Sequence, residues 1–168
     1  MTDLERQADA DAFVREHATW LTRLAYLLVG SREDALDLAQ ETCARMWRSW
    51  PSVSSADDPL AYVATIMANL QRSRWRRRTV HEVPYEQEWH AGSPAGLAFE
   101  EVDALRRGLD ALSDRQRRAI VLRYWVDLDD AAIAQALACR PATVRSLLSR
   151  GIARLREDLT DPFEETTS

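Results

Sequence analysis

The apolar residues in the first third of the chain recur at spacings of three and four, which is the period of an α-helix. One face of a first predicted helix consists of Phe13, His17, Leu21, Leu24 and Leu28. Gly30 is suited to end this helix, and Ser31 is suited to cap the next one. The buried side of that second helix is formed by Ala35, Leu38, Thr42, Met46 and Trp50. Turn-forming residues follow at 51–58, and Pro59 predicts the start of a third helix.

The second half of the chain has the same helical period after an irregular stretch that contains Pro84, Gly92, Ser93, Pro94 and Gly96. Helices are expected at about 103–112, 114–125, 128–137 and 141–157. Since no stretch alternates as a strand does, the sequence predicts an all-α fold of two small helical domains. The predicted organisation is an acidic N-terminal tail (1–12), a first domain (13–78), a flexible acidic linker (79–102), a second domain (103–160) and a C-terminal tail (161–168).

Charge is distributed unevenly along this chain, whose formal net charge is −5. The two predicted domains carry +3 each, whereas the tails and the linker together carry −11. All 22 basic residues are arginine, the side chain that makes bidentate contacts with phosphate and guanine. Two basic modules joined and flanked by acidic chain favour a nucleic-acid-binding protein.

A helix-turn-helix pattern follows Asp127, in DLDDAAIAQALACRPATVRSLLSRGIARLR. A short apolar helix and a turn precede a longer helix with one stripe of Val144, Leu148, Ile152 and Leu155. At 100° per residue, the opposite side presents Thr143, Ser146, Arg150 and Arg154. A helix with donors and positive charge on its outer face fits the major groove of DNA, which favours DNA binding over a solvated arginine-rich helix.

Two further motifs lie in the first domain. RSRWRRR, residues 72–78, places five arginines in seven positions, and nucleic-acid phosphate neutralises such a cluster. Trp75 within it could stack on an unpaired base, although a solvated charge run is the alternative. In DALDLAQETCARMWRSW, Asp37 and Glu41 lie four residues apart, which by spacing alone indicates an ordinary charged helix face.

Taken in order, DALDLAQET, DPLAYVATIMANLQRSRWRRR, the acidic linker and LDALSDRQRRAIVLRYWVDLDDAAIAQALACRPATVRSLLSRGIARLR resemble the extracytoplasmic-function (ECF) sigma factors of bacterial RNA polymerase. The resemblance covers about residues 13–158 and is greatest to an actinobacterial subgroup. It implies a sigma region 2 bundle of three to four helices and a sigma region 4 helix-turn-helix domain, joined by the linker. The implied function is promoter-specific transcription initiation.

The resemblance also implies roles for individual residues. Core polymerase, through the coiled coil of its largest subunit, would bind Leu36, Asp37, Gln40 and Glu41. The −10 promoter element would be melted, with a base flipped out, and read by Ser54, Ser55, Asp57, Asn69, Arg72, Arg74, Trp75 and Arg76. The −35 element would be bound by Arg140, Thr143, Arg145, Ser146 and Arg150. Helix 114–125 would contact the polymerase flap, and the linker would follow the RNA exit path.

Leu147 departs from the family pattern, because this position is often basic or polar in such recognition helices. By helical angle Leu147 points away from the apolar stripe, toward the expected DNA face. Two interpretations stay open: the side chain packs on a thymine methyl group, or a partner covers it when DNA is absent.

Alternative functions weighed against the sigma factor are a sigma mimic that sequesters an anti-sigma factor, a plain helix-turn-helix regulator, and an enzyme such as a nuclease. The histidines, His17, His81 and His90, have no ligand spacing, and Cys43 and Cys139 form no CxxC motif, so neither catalysis nor a metal or other cofactor is expected. The chain lacks a long apolar run and a signal peptide, which predicts a cytoplasmic protein without membrane insertion. The expected partners are core RNA polymerase, promoter DNA and an anti-sigma factor.

Overall fold

The structure is a computed structural model that describes residues 2–78 and 95–160, without the side chains of 75–78, 95–98 and 160. These residues form α-helices and no strand, which confirms the predicted all-α class. The helices are α1 (Asp3–Val29), α2 (Arg32–Arg48), α3 (Trp50–Ser54), α4 (Pro59–Arg78), α5 (Ala95–Gly108), α6 (Asp114–Tyr124), α7 (Asp130–Leu137) and α8 (Pro141–Thr160).

The helices begin and end at the residues whose chemistry marks such ends. Gly30 closes α1 in the left-handed conformation, with φ of 80°, and its N–H donates to the carbonyl of Tyr26. The hydroxyl of Ser31 accepts from the N–H of Asp34 at 3.3 Å and caps α2. Ser113 forms a reciprocal capping box with Gln116 at the start of α6.

Three helices extend into segments where the sequence predicted tail, linker or turn. α1 begins at Asp3, inside the predicted acidic tail, because Thr2 and Glu5 form a capping box. α3 occupies part of the predicted turn. α5 begins at Ala95, inside the predicted linker, and its Phe99 and Val102 are only 2% and 4% exposed. Burial of these side chains in the core therefore stabilises a helix in a segment whose sequence is too short and too irregular to show a helical period.

α1 is the central helix of the fold. It packs against α2, α4, α5 and α6, and its residues Leu24, Leu27 and Leu28 are fully buried. The core around it includes Phe99 of α5 and Ile120 of α6. The helices on the two sides of the predicted linker therefore share one core.

A second core lies between α4 and the helix-turn-helix. Ala68 of α4 is fully buried and belongs to one apolar cluster with Leu122, Ile133, Leu137 and Val144. Small side chains on α4 allow α7 to approach closely. In this arrangement the helix-turn-helix covers part of α4.

A polar cluster joins α1 and α5 beside Phe99. The hydroxyl of Tyr26 donates to Asp103 at 2.6 Å, and Arg32 pairs with the same carboxylate at 3.2 Å. The hydrogen bond from Tyr26 lowers the pKa of Asp103, and the nearby Arg32 lowers it further. The hydrogen bond to Asp103 raises the pKa of Tyr26.

The C-terminal end of α1 is held by side chains from two other helices. The carbonyl of Leu28 accepts from Nε2 of Gln71 at 2.9 Å, and from Nη2 and Nε of Arg117 at 3.3 and 3.4 Å. Arg117 also pairs with Asp114 at 2.5 Å. A cation at this position complements the negative end of the helix dipole. Leu28 therefore joins α4 and α6 to the central helix.

Gly30→Ala is expected to lower the free energy of unfolding by about 1–2 kcal/mol, because a residue with a Cβ is strained in the left-handed region. A Cβ at this position would also collide with the buried guanidinium of Arg106. Urea denaturation measures the difference. Gly108→Ala is the matched control, since a Cβ there meets nothing within 4 Å. Equal destabilisation of the two variants would contradict the role assigned to Gly30.

The Asp103→Asn substitution is expected to lower the melting temperature at neutral pH and to have a smaller effect at acid pH. Because folding lowers the pKa of Asp103 below its unfolded value of about 3.9, its ionised form stabilises the fold above that pH, and the effect fades as pH falls through the folded pKa. Melting temperatures measured from about pH 7 down to about pH 2 should therefore converge for the two proteins. Glu100→Gln, at an exposed acid of the same helix, serves as control. A difference in melting temperature that stays constant over this pH range would contradict the stabilising role of ionised Asp103.

Candidate polymerase and nucleic-acid interfaces

The predicted polymerase-docking residues lie together on α2. Leu36, Asp37 and Gln40 are exposed and Glu41 is half-buried, whereas the opposite side of the helix is buried in the core. Leu36 is an apolar side chain with 38% of its surface exposed. These residues, called the α2 surface below, combine an apolar contact with two carboxylates.

Arg74 of α4 pairs with both carboxylates of the α2 surface. Its Nε lies 3.0 Å from Glu41 and its Nη2 lies 3.7 Å from Asp37. Its Nη1 donates to the carbonyl of Asp34 at 3.5 Å. The sequence placed Arg74 in the −10 set and the two acids in the docking set, so this contact between the sets was missed. No sequence motif indicates it, since the partners lie more than thirty positions apart.

The remaining predicted −10 residues lie at the two ends of α4. Ser54, Ser55 and Asp57 are exposed in the segment before the helix, where Ser55 donates to the carbonyl of Pro51 at 2.7 Å. Asn69 and Arg72 are half-buried in the second half of α4. At 1.5 Å per residue, the two groups are about 20 Å apart along the helix axis. The side chains of Trp75 and Arg76 lie outside the described residues.

The helix-turn-helix predicted after Asp127 is formed by α7 and α8. The carboxylate of Asp129 caps α7 by accepting from the N–H of Ala132 at 2.8 Å. Ala138 ends the helix with φ of 50°, a conformation that is unusual for alanine and makes a tight turn. Pro141 starts α8, where its fixed φ and missing N–H are tolerated.

The predicted −35 residues lie on the turn and the first half of α8. Arg140, Arg145 and Arg150 are exposed, and Thr143 and Ser146 are half-buried. Val144 on the opposite side is fully buried, which directs these side chains outward. We call these five residues the α8 surface.

Asp130 anchors one arginine of the α8 surface. Arg145 pairs with Asp130 at 3.4 Å, and the same carboxylate pairs with Arg123 of α6. An aspartate held between two arginines restrains the orientation of Arg145 without neutralising both charges. Arg123 was not among the residues singled out from the sequence.

Leu147 is half-buried and packs against the apolar cluster between α4 and the helix-turn-helix. The helical angle alone placed it on the DNA side of α8. Its apolar contacts within the chain explain why a leucine is tolerated there.

Neither cysteine is part of a ligand cluster among the described residues. Cys43 and Cys139 are free thiols, the first buried and the second half-buried. Burial raises the pKa of Cys43 to about 12, so its thiol is protonated at neutral pH. Within 2–78 and 95–160, no group of three or more His, Cys, Asp or Glu side chains is placed to hold a metal ion. Nor is any helix there both long and apolar enough to span a bilayer.

Comparisons with known proteins agree with this arrangement. Residues 13–80 match the family model of Sigma-70 region 2, and residues 103–155 match that of Sigma-70, region 4. A solved structure with the same fold is the complex of the sigma factor RpoE with the anti-sigma factor NepR from Bartonella quintana. It has a TM-score of 0.67 and 24% identity, and the match covers 90% of this chain and 96% of that one.

Curated relatives extend the match along most of the chain. The RNA polymerase sigma-E factor of Streptomyces coelicolor is 36% identical over 152 residues, which cover 89% of this chain and 85% of that protein. The ECF RNA polymerase sigma factor SigE of Mycolicibacterium smegmatis is 32% identical over 93% of this chain and 63% of its own length. The chain therefore belongs to the extracytoplasmic-function family of RNA polymerase sigma factors.

Proposed function

We propose that this chain is an alternative sigma factor that binds core RNA polymerase and directs promoter-specific initiation by recognising −35 and −10 elements and assisting melting. The observation that carries the proposal is the presence, on one chain, of the exposed α2 surface and of a helix-turn-helix with outward arginines. A plain helix-turn-helix regulator would leave the α2 surface without a role. The chain acts by binding alone, as a cytoplasmic protein without covalent chemistry of its own.

In the proposed organisation, residues 13–78 form the region 2 domain and residues 103–160 form the region 4 domain. The polymerase would dock on the α2 surface through Leu36 and the two carboxylates. Their partner Arg74 is 33% exposed, so the ion pairs are accessible to competing charges. A basic polymerase side chain that takes over Asp37 and Glu41 would leave Arg74 available for DNA phosphate.

The −10 element would lie along α4, from the segment that contains Ser54, Ser55 and Asp57 to Asn69, Arg72 and the arginines after it. The length of about 20 Å between these groups matches several nucleotides of unpaired strand. The exposed hydroxyls and the exposed carboxylate before α4 can accept and donate hydrogen bonds to a flipped base. Arg72 and Arg74 would neutralise the phosphates that follow.

The −35 element would receive α8 in its major groove. The α8 surface presents three exposed arginines beside two hydroxyls, a combination that can contact both guanine edges and phosphates. The ion pair with Asp130 restrains the side chain of Arg145, so this side chain is already oriented when α8 approaches DNA. Arg150 lies further along the helix, where it reaches the next base pairs or the backbone.

An anti-sigma factor is a further proposed partner. The described residues expose large apolar side chains on the region 2 helices, namely Leu36, Trp47 and Tyr62. A partner protein that covers these side chains would remove their apolar surface from water. The solved relative with the same fold was crystallised with an anti-sigma factor, which supports the proposal. A sigma mimic would keep this interaction but would not support transcription.

Run-off transcription with purified core polymerase tests the central proposal. Templates are genomic promoter fragments that include the region upstream of the gene for this chain. The Asp37→Ala/Glu41→Ala variant is expected to reduce specific transcripts by about tenfold at limiting chain concentration, a loss of about 1.4 kcal/mol in binding. Glu16→Ala, which removes an exposed acid of α1 instead, should transcribe as the wild type does. Failure of the folded wild type to yield any specific transcript would reject the sigma activity and leave a mimic or a plain DNA-binding regulator. Capture of an anti-sigma factor would then identify the mimic.

Arg150→Ala is expected to weaken binding of the polymerase complex to the −35 element by about 1–3 kcal/mol and to relax its sequence preference, because a guanine contact is lost. Competition binding with the cognate element and with base-substituted elements measures both quantities. Arg107→Ala removes an exposed arginine of α5 and should leave both unchanged. Equal weakening on every sequence would show that Arg150 contacts phosphate rather than a base.

A further inference from the structure

Asp130, the first residue of α7, lies between arginines of the two neighbouring helices. One carboxylate oxygen, Oδ1, accepts from Nη2 of Arg123 in α6. The other oxygen, Oδ2, lies 3.4 Å from Nη1 of Arg145 in α8. Each oxygen therefore has its own arginine, and the carboxylate links three helices of the region 4 domain beside the α8 surface.

The helix α7 does not need the carboxylate of Asp130 as a cap. The neighbouring Asp129 caps the helix, because its side chain accepts from the N–H of Ala132 at 2.8 Å. The negative charge of Asp129 also complements the positive end of the helix dipole. The carboxylate of Asp130 contacts two guanidiniums instead, and one of them belongs to the surface that is proposed to bind DNA.

The backbone positions of Asp130 and Arg145 are fixed by buried neighbours. Ile133 of α7 and Val144 of α8 are fully buried in the apolar cluster of the helix-turn-helix. Arg145 follows Val144 directly, and its side chain is 63% exposed. Because an exposed arginine otherwise retains most of its rotamer freedom, the ion pair with Asp130 limits the directions in which this side chain extends.

The pairing with Asp130 occupies only one part of the Arg145 guanidinium. Nη1 makes the contact, and among the described residues no other acceptor is paired with this side chain. Nε and Nη2 form a second edge of the planar fork, and two parallel donors on one edge match O6 and N7 of guanine. An arginine that is already held by one nitrogen loses less rotamer freedom when it makes this contact.

We propose that Asp130 is a positioning residue for −35 recognition, and that it holds Arg145 so that Arg145 contacts a guanine rather than a phosphate. The inference rests on the proposed binding of α8 in the major groove. The negative charge of Asp130 disfavours a phosphate beside it, whereas a guanine edge is neutral. Arg123, which is 27% exposed, keeps the carboxylate in place. Sequence preference at one base pair would thus depend on α6 and α7 as well as on α8.

Binding of the complex with core polymerase to promoter duplexes tests the role of Asp130. Each base pair of the −35 element is substituted in turn, and the loss of affinity at each position is measured for the wild type and the variants. Arg145→Ala is expected to reduce the preference for one G·C pair by at least about fivefold. Asp130→Asn should reduce the preference at that same pair by about threefold, because Arg145 keeps its donors but loses its orientation. The preferences at the other positions should stay as in the wild type.

A double variant separates positioning from a general structural effect. If Asp130 acts through Arg145, Asp130→Asn causes no further loss of preference in the Arg145→Ala background. Asp130→Asn also removes the carboxylate paired with Arg123, so a lower melting temperature is expected, but lost stability would weaken binding to all sequences equally. Asp130→Ala replaces Asp130→Asn if that variant does not fold. Asp158→Asn removes an exposed acid of α8 and should keep the wild-type preferences.

The outcomes distinguish the role of Asp130 from the proposed function. A wild-type complex without preference at any base pair would reject −35 recognition, and the role of Asp130 with it. A wild-type preference that Asp130→Asn leaves unchanged, or weakens equally at every position, would overturn the role of Asp130 alone. Equal weakening of every sequence by Arg145→Ala would also overturn it, because Arg145 would then contact phosphate.

Discussion

The carbonyl of Leu28, at the buried end of α1, is the point through which the two halves of the chain are joined. It accepts hydrogen bonds from Gln71 of region 2 and from Arg117 of region 4. Helix ends leave carbonyls without partners inside the helix, and a buried one requires a donor from elsewhere. Because Gly30 lets the chain turn immediately afterwards, Arg106 and Arg117 can both approach this end. The apolar contacts of Phe99 and Ile120 with α1 then extend the same junction into a shared core.

A chain packed in this way cannot contact both promoter elements at once. Elements named −35 and −10 lie about 25 base pairs apart, or about 85 Å at 3.4 Å per base pair. A compact chain of this length has a radius of gyration of about 15 Å and is about 40 Å across. Moreover, Ala68 on the proposed −10 helix is buried against the helix-turn-helix. The region 2 and region 4 helices therefore have to separate before the proposed promoter complex can form. Buried donors of Arg72 and Arg118 that make no hydrogen bond weaken the packing that must open.

The sequence predicted the parts of this structure that depend on local patterns. The helical class, the caps at Gly30 and Ser31, and the helix-turn-helix all follow from period, turn chemistry and capping residues. The extension of α5 to Ala95 could not be predicted, because Phe99 is stabilised by α1 rather than by its own helix. The outward face of the α2 surface follows from the helical period, but its pairing with Arg74 joins residues distant in sequence. Likewise, Leu147 on the expected DNA side finds apolar neighbours that only the packing of α4 against α7 and α8 provides.

The distance between α2 and α8 tests most directly whether the joined halves separate. Spin labels on cysteines introduced at exposed Arg45 and Ser149, with Cys139 replaced by serine, leave the proposed contact residues intact. We expect one short distance in the free chain and a distance longer by at least about 30 Å in a transcribing complex with core polymerase and promoter. The same short distance in both states, in a preparation that makes specific transcripts, would contradict it.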